Sequence, residues 1–219
     1  MDIAKYIDHT ILKADAKEAD IIKLCNEAKE YGFASVCTNS GYTKHVYENL
    51  KNSEVKVCTV VGFPLGSMDT DAKVFETKRA IELGSDEIDM VINIGYIKDK
   101  KYENVKADIE SVVEAAKGRV VKVILETCLL TEEEIIKACK LSLEAGANFV
   151  KTSTGFSSGG ATIENVKLMK KVVGKKAKVK ASGGVRNYET AMQMIKAGAD
   201  RIGTSSGIAI VKGIEGTGY

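Results

Sequence analysis

The sequence predicts an α/β fold, a single-domain (β/α)₈ TIM barrel that covers residues 1–219. Apolar, β-branched segments alternate with charged amphipathic segments along the chain, as in repeated βα units around a parallel sheet. Eight segments of each kind fit into 219 residues, slightly below the usual length of about 250 for this fold. Three helix-to-strand junctions also resemble one another, namely LGSDEIDMV, AGANFVKTS and AGADRIGTS.

The strands and helices are predicted from the spacing of apolar residues along the chain. Short β-branched segments predict strands at the Tyr6–Thr10 region, Ala34–Thr38, Lys56–Phe63, Glu87–Ile94, Val120–Glu126, Phe149–Ser153, Lys178–Ser182 and Arg201–Thr204. Amphipathic segments predict helices over Asp15–Tyr31, Tyr42–Lys51, Thr70–Leu83, Asn104–Lys117, Thr131–Ala145, Thr162–Val173, Tyr188–Ala197 and from about Ser206.

Several helix boundaries have recognisable signals. Thr131 and Glu134 have the spacing of a capping box, so a helix should begin there. Glycines stand where helices should end, at positions 84, 118, 146, 174 and 198. An open doubly wound sheet is the alternative fold, but no Gly-x-Gly-x-x-Gly follows the first predicted strand. A single proline and the lack of low-complexity sequence argue against a linker between domains.

Composition excludes several classes of partner. With 32 basic and 30 acidic residues, the net charge of +2 gives no global field for nucleic acid or a membrane surface, so we expect small-molecule partners. Five cysteines without a CxxC pair indicate reduced thiols. Neither a signal peptide nor a run of about 18 apolar residues is visible. We therefore expect a cytoplasmic protein.

Two lysines are the main candidates for chemistry. Lys151 in FVKTSTG and Lys180 in KVKASGG lie 29 residues apart, each near the end of a predicted strand. If one helix lies between them, their strands are neighbours and both ammonium groups face one cavity. Two close cations should each lower the pKa of the other, and a lysine nucleophile needs its pKa lowered from about 10.4 to roughly 7 to 8. The alternative for each lysine is a structural ion pair.

Side-chain alternation selects further polar residues that point into the barrel. It places Lys122, Glu126 and Asp89 on inward faces, with Asp8 as a similar candidate in the first strand. A buried carboxylate needs a partner, so Asp89 is either a structural ion pair of a lysine or a proton-transfer group beside the lysine pair. Cys37 ends the second strand and is either a cavity-lining residue or a packed thiol.

The loops after the last two strands predict an anion site. SGGVR and GTSSG could direct backbone N–H groups of residues 182–186 and 203–207 at one phosphate, as these barrels commonly do after strands seven and eight. Tight turns are the alternative reason for these glycines. His9 and His45 are the only histidines and have no metal-ligand spacing, so no metal is predicted.

Together, FVKTSTG with the following GGAT, KASGGVR, DEIDMVIN, VKVILET, VGFPLG and IDHTIL resemble the deoxyribose-phosphate aldolases, class I aldolases on a (β/α)₈ barrel. The resemblance implies reversible cleavage of 2-deoxy-D-ribose 5-phosphate to D-glyceraldehyde 3-phosphate and acetaldehyde. It also implies no metal or organic cofactor, sugar phosphates and aldehydes as the small-molecule partners, and a homodimer or homotetramer.

The resemblance further implies roles for individual residues. Lys151 matches the Schiff-base lysine, Lys180 the lysine that depresses its pKa and takes part in proton transfer, and Asp89 the acid that works with it through water. The implied pocket residues are Asp8, Lys122 and Glu126. The implied phosphate region comprises Gly155, Gly183, Gly184, Arg186, Gly203, Ser205 and Ser206.

Two positions need separate mention. Phe156 stands directly after TSTG, where some members of the family have a phosphate-binding lysine, so a less exclusive preference for phosphorylated substrates is expected. The chain ends in EGTGY, and in some members a terminal tyrosine reaches back to assist proton transfer, as Tyr219 could do. Two alternatives remain open at this stage, another Schiff-base aldolase for phosphorylated sugars and a non-catalytic phosphate-binding barrel.

Overall fold

The described residues, 2–217 of the computed structural model, form one domain built on a closed barrel. Eight parallel strands are hydrogen-bonded in chain order, and the last strand pairs with the first. This confirms the predicted (β/α)₈ fold. The strands are β1 (Ile7–Ile11), β2 (Ser35–Thr38), β3 (Lys56–Val61), β4 (Glu87–Val91), β5 (Val120–Ile124), β6 (Phe149–Lys151), β7 (Lys178–Ser182) and β8 (Arg201–Thr204).

Helices surround the barrel and alternate with the strands. They are α1 (Glu18–Tyr31), α2 (Thr43–Leu50), α3 (Thr70–Glu82), α4 (Ile94–Lys98), α5 (Tyr102–Ala115), α6 (Glu132–Glu144), α7 (Ile163–Val173), α8 (Tyr188–Ala197) and α9 (Gly207–Lys212). Short 3₁₀ helices cover Ile3–Tyr6, Ser40–Tyr42 and Thr127–Leu129. Within the described residues, no helix is long and apolar enough to cross a membrane.

The predicted helix signals are confirmed where the structure shows them. The backbone N–H of Glu134 donates to Thr131 Oγ1 at 3.3 Å, and the N–H of Thr131 donates to the Glu134 carboxylate at 2.7 Å, so the capping box that begins α6 is complete. All five glycines predicted to follow helices have positive φ, between 56° and 115°. Glycine tolerates this conformation without steric cost, which is why the helices end there.

The predicted strands β3 to β6 are too long at their C-terminal ends, by two or three residues each. In each case the chain leaves the ladder to form the rim of the barrel. Gly62 and Glu126 adopt positive φ, and the Asn93 side chain accepts from the N–H of Tyr96 to begin α4. Helix α4 was not predicted, because its five residues are too few to show a helical period.

The two faces of the barrel differ in chemistry. Outward side chains such as Val121 and Val123 of β5 belong to one continuous apolar core shared with the helices. Inward side chains include charged groups, and Lys122 between those two valines is fully buried. A small separate apolar cluster of Leu12, Cys37, Cys58 and Val60 lies inside the barrel, with Phe63 packed against it. The barrel interior is therefore mainly a polar site and not an extension of the apolar core.

A buried ion pair connects two helices outside the barrel. Lys73 of α3 is fully buried, and its Nζ lies 2.6 Å from Asp108 Oδ2 of α5 and 3.0 Å from the carbonyl of Val91. Thr70 donates a hydrogen bond to the other Asp108 oxygen at 2.8 Å. This ion pair ties α3 and α5 to the C-terminal end of β4, which carries the inward Asp89.

We expect Lys73→Met to destabilise the fold by roughly 3 to 5 kcal/mol, because it leaves the Asp108 carboxylate buried without a counter-ion. Equilibrium urea unfolding followed by circular dichroism measures the change. Arg79→Met is the matched control, since it breaks the exposed Arg79–Glu82 pair and should leave the midpoint nearly unchanged. A shift for Lys73→Met no larger than the control's would contradict the expectation.

Candidate active site

The two lysines that stand out in the sequence lie side by side in the barrel. Lys151 of β6 and Lys180 of β7 are Cα partners in neighbouring parallel strands. Their Nζ atoms each lie 2.8 Å from Oδ2 of Asp89, while Lys122 Nζ lies 2.8 Å from Asp89 Oδ1. All four side chains are at most 3 % exposed. Asp89 is therefore a buried carboxylate shared by three ammonium groups.

A second layer of charges lies towards the N-terminal ends of the strands. Lys180 Nζ is 2.6 Å from Asp8, Arg201 is 2.7 Å from both Asp8 and Glu87, and Glu87 is 2.5 Å from Lys122 Nζ. Because Lys122 and Lys180 also contact Asp89, the six side chains form a closed ring of ion pairs. We call the result the ion ring, defined in order as Asp89, Lys180, Asp8, Arg201, Glu87 and Lys122.

The ion ring alternates in sign and is balanced, with three carboxylates and three cations. Burial acts to raise the pKa of Asp89, but Lys122, Lys151 and Lys180 outweigh it and hold that pKa well below its usual range. The Asp8 carboxyl is likewise held below its usual pKa against burial, by Lys180 and then Arg201. Near neutral pH, both carboxyl groups are therefore ionised.

The expectation that each lysine lowers the pKa of the other is wrong for Lys180. Burial acts to lower the pKa of Lys180, but the carboxylates of Asp8 and Asp89 outweigh it and raise the pKa well above its usual value. Lys180 is therefore a fixed cation near neutral pH. Among residues 2–217, Lys151 is attached to the ion ring through Asp89 alone.

A cavity of about 130 Å³ opens above the ion ring at the C-terminal ends of the strands. Lys151 reaches it, whereas the six side chains of the ion ring do not line it. Thr10 and Leu12 form one wall, and Phe156 forms part of the rim. The rest of the lining comes from the small-residue loops, namely Thr154, Gly155, Ser182, Gly183, Gly184, Val185, Arg186, Gly203, Thr204 and Ser205.

Glycine is required at one point of this arrangement. A Cβ on Gly203 would lie 2.9 Å from Cε of Lys180 and 2.9 Å from Cβ of Ser182. Any larger residue would displace the Lys180 stem from its path to Asp89. The GTSSG sequence thus both lines the cavity and makes room for the lysine.

The structure brings most predicted site residues together, in different layers. Lys151, Gly155, Gly183, Gly184, Arg186, Gly203 and Ser205 line the cavity, while Lys180, Asp89, Lys122 and Asp8 lie in the ion ring below it. Glu126 is buried beside the cavity and accepts hydrogen bonds from the N–H and hydroxyl of Thr154. Cys37 is fully buried under Leu12, and Ser206 lines an adjoining groove. Tyr219 lies outside the described residues.

Sequence reasoning missed Glu87, Arg201 and Cys58. Glu87 stands two residues before Asp89, and Arg201 stands two residues before Gly203. The same alternation that selected Asp89 would have placed Glu87 on its face of the strand. Cys58 pairs with Cys37 across β2 and β3 and donates to Asp89 Oδ1 at 3.1 Å.

One group in residues 2–217 has a spacing that could hold a metal ion, formed by Cys37, Cys58 and Asp89. Both Asp89 oxygens already accept hydrogen bonds from lysine ammonium groups. A dication would have to displace at least one of these cations and face the repulsion of the others. The charges around the group therefore disfavour a metal there.

The cavity combines an amine at its floor with a glycine-lined rim that suits an anion. An amine in such a position can form an imine with a carbonyl compound, while the rim holds a charged end of the same molecule. The barrel and this chemistry define an enzyme of the aldolase class.

The chain belongs to the DeoC/LacD family of aldolases, whose family model matches residues 3–213. It is 63% identical to the deoxyribose-phosphate aldolase of Finegoldia magna, over 97% of this chain and 100% of that protein. It is 60% identical to the enzyme of the same name from Streptococcus sanguinis, over 100% of this chain and 99% of that protein.

Solved structures show the same fold. The tetrameric deoxyribose phosphate aldolase of Aeropyrum pernix superposes with a TM-score of 0.90 at 35% identity, over 96% of this chain and 89% of that one. An aldolase called QR15 gives a TM-score of 0.93 at 45% identity, over 97% and 95% of the two chains.

Acidification should destabilise the protein through the ion ring. The pKa values of Asp8 and Asp89 are depressed in the fold, so their stabilising contribution is present above the unfolded pKa of about 3.9 and is lost as pH falls towards the folded values. We expect Arg201→Met to move the acid-unfolding midpoint to higher pH, because Asp8 and Glu87 lose a shared cation. A circular-dichroism titration measures the midpoint.

Arg119→Met is the control for this titration. Arg119 pairs with Asp86 at 3.5 Å on the surface, where the two side chains are 41% and 39% exposed. Its removal should leave the acid midpoint where it is. Equal midpoints for the two variants would show that the ion ring does not set acid stability.

Proposed function

We propose that this chain catalyses the reversible aldol cleavage of 2-deoxy-D-ribose 5-phosphate to D-glyceraldehyde 3-phosphate and acetaldehyde, with Lys151 as the Schiff-base nucleophile. One observation carries the assignment of Lys151: of the three lysines that contact Asp89, it is the one that lines the cavity. The match to relatives named deoxyribose-phosphate aldolase along nearly the whole chain supports the choice of substrate.

Lys151 differs from the other two lysines in its surroundings. Lys122 and Lys180 each contact two carboxylates of the ion ring at 2.5 to 2.8 Å, whereas within the described residues Lys151 contacts Asp89 alone. Lys151 also lines the cavity. It is therefore the lysine whose nitrogen is placed to attack an aldehyde.

The proposed cycle begins when the Lys151 amine attacks the C1 aldehyde and forms a carbinolamine, which loses water to give an iminium ion. Asp89, acting through a water molecule and held by Lys180, takes the proton of the C3 hydroxyl. The electrons of the C2–C3 bond pass into the iminium ion, so D-glyceraldehyde 3-phosphate leaves and an enamine remains. Protonation of the enamine at C2 and hydrolysis release acetaldehyde and restore Lys151.

The position of Asp89 explains how one carboxylate could serve both lysines. Its Oδ2 atom is 2.8 Å from Lys151 Nζ and 2.8 Å from Lys180 Nζ. A proton that reaches Asp89 is therefore one hydrogen bond away from either nitrogen. The cycle moves protons and one carbon–carbon bond pair, so as proposed it needs no metal or organic cofactor.

The substrate phosphate is assigned to the small-residue loops. Gly183, Gly184, Gly203, Ser205 and Arg186 lie on the same cavity as Lys151. Backbone N–H groups, a hydroxyl and a guanidinium are the donors that a phosphate prefers. Gly155 completes this rim, and Ser206 lies just beyond it.

Assembly and location belong to the same proposal. The Aeropyrum pernix relative is described as tetrameric, which supports a homodimer or homotetramer for this chain. The five cysteines are free, as expected of a cytoplasmic enzyme.

Borohydride reduction in the presence of acetaldehyde should fix a two-carbon adduct on Lys151, because the reductant traps the iminium ion. Peptide mass spectrometry locates the adduct. Lys151→Leu should abolish both adduct and cleavage yet still fold, since the ion ring that remains is balanced. Lys167→Leu, which removes an exposed lysine of α7, should keep both. The absence of an adduct, or an adduct on another lysine in place of Lys151, would contradict the assignment.

Phe156→Lys should increase the preference for phosphorylated substrate. Phe156 is 50% exposed on the cavity rim, where an ammonium group could pair with the phosphate. We expect KM for deoxyribose 5-phosphate to fall by about tenfold or less, as for one partly solvated charge-assisted hydrogen bond, with no gain for free deoxyribose. Steady-state kinetics on both substrates tests this. Phe156→Leu is the control, and an equal gain for both sugars would contradict the expectation.

A further inference from the structure

Two thiols lie side by side next to Asp89. Cys37 of β2 and Cys58 of β3 are Cα partners in neighbouring parallel strands, and both are fully buried inside the barrel. Paired residues on such strands are about 4.8 Å apart, within the range of about 4.4 to 6.8 Å that a disulfide spans between Cα atoms. The two sulfur atoms and an Asp89 oxygen all lie within 4.8 Å of one another.

The thiols belong to the hydrogen-bond network of the ion ring. Cys58 Sγ donates to Asp89 Oδ1 at 3.1 Å, and Lys122 Nζ lies 3.3 Å from the same sulfur. Asp89 therefore accepts four hydrogen bonds, one of them from a thiol. A change at Cys58 acts directly on the carboxylate that contacts Lys151.

The two sulfurs differ in acidity. Contact with Cys58 lowers the pKa of the Cys37 thiol, and Lys180 and Lys151 act in the same direction against burial and Asp89. Burial raises the pKa of Cys58 well above its usual value, and its contacts with Cys37 and Asp89 raise it further. An acidic thiol beside a protonated one is the arrangement in which the first attacks an oxidant and the second resolves the product.

The pair lies close to the active-site cavity, although both thiols are fully buried and neither lines it. Thr10 lines the cavity and is the Cα partner of Cys37. Leu12 also lines the cavity and packs in the small cluster that contains both cysteines. One layer of side chains thus separates the sulfurs from the space that admits an aldehyde.

We propose that Cys37 and Cys58 form a reversible disulfide when a peroxide enters the cavity, and that this bond switches the active site off. The Cys37 thiolate attacks the peroxide, so a sulfur–oxygen bond forms, the oxygen–oxygen bond breaks and hydroxide leaves as water. The Cys58 sulfur then attacks the sulfenic acid, so the disulfide forms and a second water leaves. Two thiols are oxidised by two electrons, and one hydrogen peroxide is reduced to two waters.

The loss of activity follows from the geometry. The sulfurs must approach to about 2.05 Å, and Cys58 then has no proton to donate to Asp89. Asp89 loses one of its four hydrogen bonds, and the sulfur that Lys122 contacts moves. Loss of a hydrogen bond to a charged group corresponds to about a tenfold or larger drop in rate. This part of the proposal rests on the proposed function, whereas formation of the disulfide does not.

The test exposes the folded full-length protein to hydrogen peroxide and then blocks free thiols with an alkylating reagent. Non-reducing peptide mass spectrometry should show a Cys37–Cys58 link, acetaldehyde release should fall in proportion to that link, and dithiothreitol should reverse both. Cys58→Ser keeps a hydrogen-bond donor for Asp89 but cannot form the disulfide. Its rate after oxidant treatment should therefore equal its rate before treatment. Cys58→Ala is the second variant. Cys128→Ser is the control, because it removes a half-buried thiol beside Glu126 and should respond like the parent chain.

The mass measurement keeps the two proposals distinct, since it detects the link in a protein with or without aldolase activity. An oxidised protein without the Cys37–Cys58 link overturns the disulfide. A linked protein that keeps full activity overturns the switch. Equal inactivation of the parent chain and both Cys58 variants also overturns it, because the damage then lies elsewhere.

Discussion

The ion ring is the constraint on which the site depends. Three carboxylates and three cations in the barrel interior alternate so that each charge has an opposite charge on both sides, at 2.5 to 2.8 Å. Charges removed from water are tolerated only when they are paired in this way. Because the partners come from β1, β4, β5, β7 and β8, the ring also requires that the barrel close in one register. The charged layer beneath the cavity and the closure of the fold are therefore parts of one arrangement.

The ion ring also gives the two lysines different surroundings. Lys180 has a carboxylate on each side, and these raise its pKa, so it stays charged. Lys151 has only Asp89 within ion-pair distance among the described residues, and it reaches the cavity. The difference does not arise from mutual repulsion of two equivalent ammonium groups, as the sequence suggested. It arises from the number of carboxylates around each lysine, two for Lys180 and one for Lys151 within the described residues, and from the access of Lys151 to the cavity.

Local patterns in the sequence were enough to predict the barrel, its eight strands and the pairing of Lys151 with Lys180, because each depends on periodicity and on glycines at helix ends. The ends of β3 to β6 were not predictable, since polar and apolar residues there leave the ladder to form the rim. The closure of the ion ring was not predictable either. Arg201 meets Glu87 across the barrel at 2.7 Å, although 114 residues separate them, and only the closed geometry brings them together.

Asp89 belongs to the ion ring and also contacts Lys151, which lines the cavity. One of its contacts is sensitive to oxidation. A carboxylate that accepts four hydrogen bonds is rigidly placed, which suits its proposed role of taking a proton from the substrate through water. One of the four donors is a thiol, and a thiol is the weakest and the most easily oxidised of them. The lysine partners are not altered by redox chemistry, so Cys58 is the one of these four donors that an oxidant can change. The hydrogen bond from Cys58 to Asp89 is thus the contact of this carboxylate that oxidation would remove.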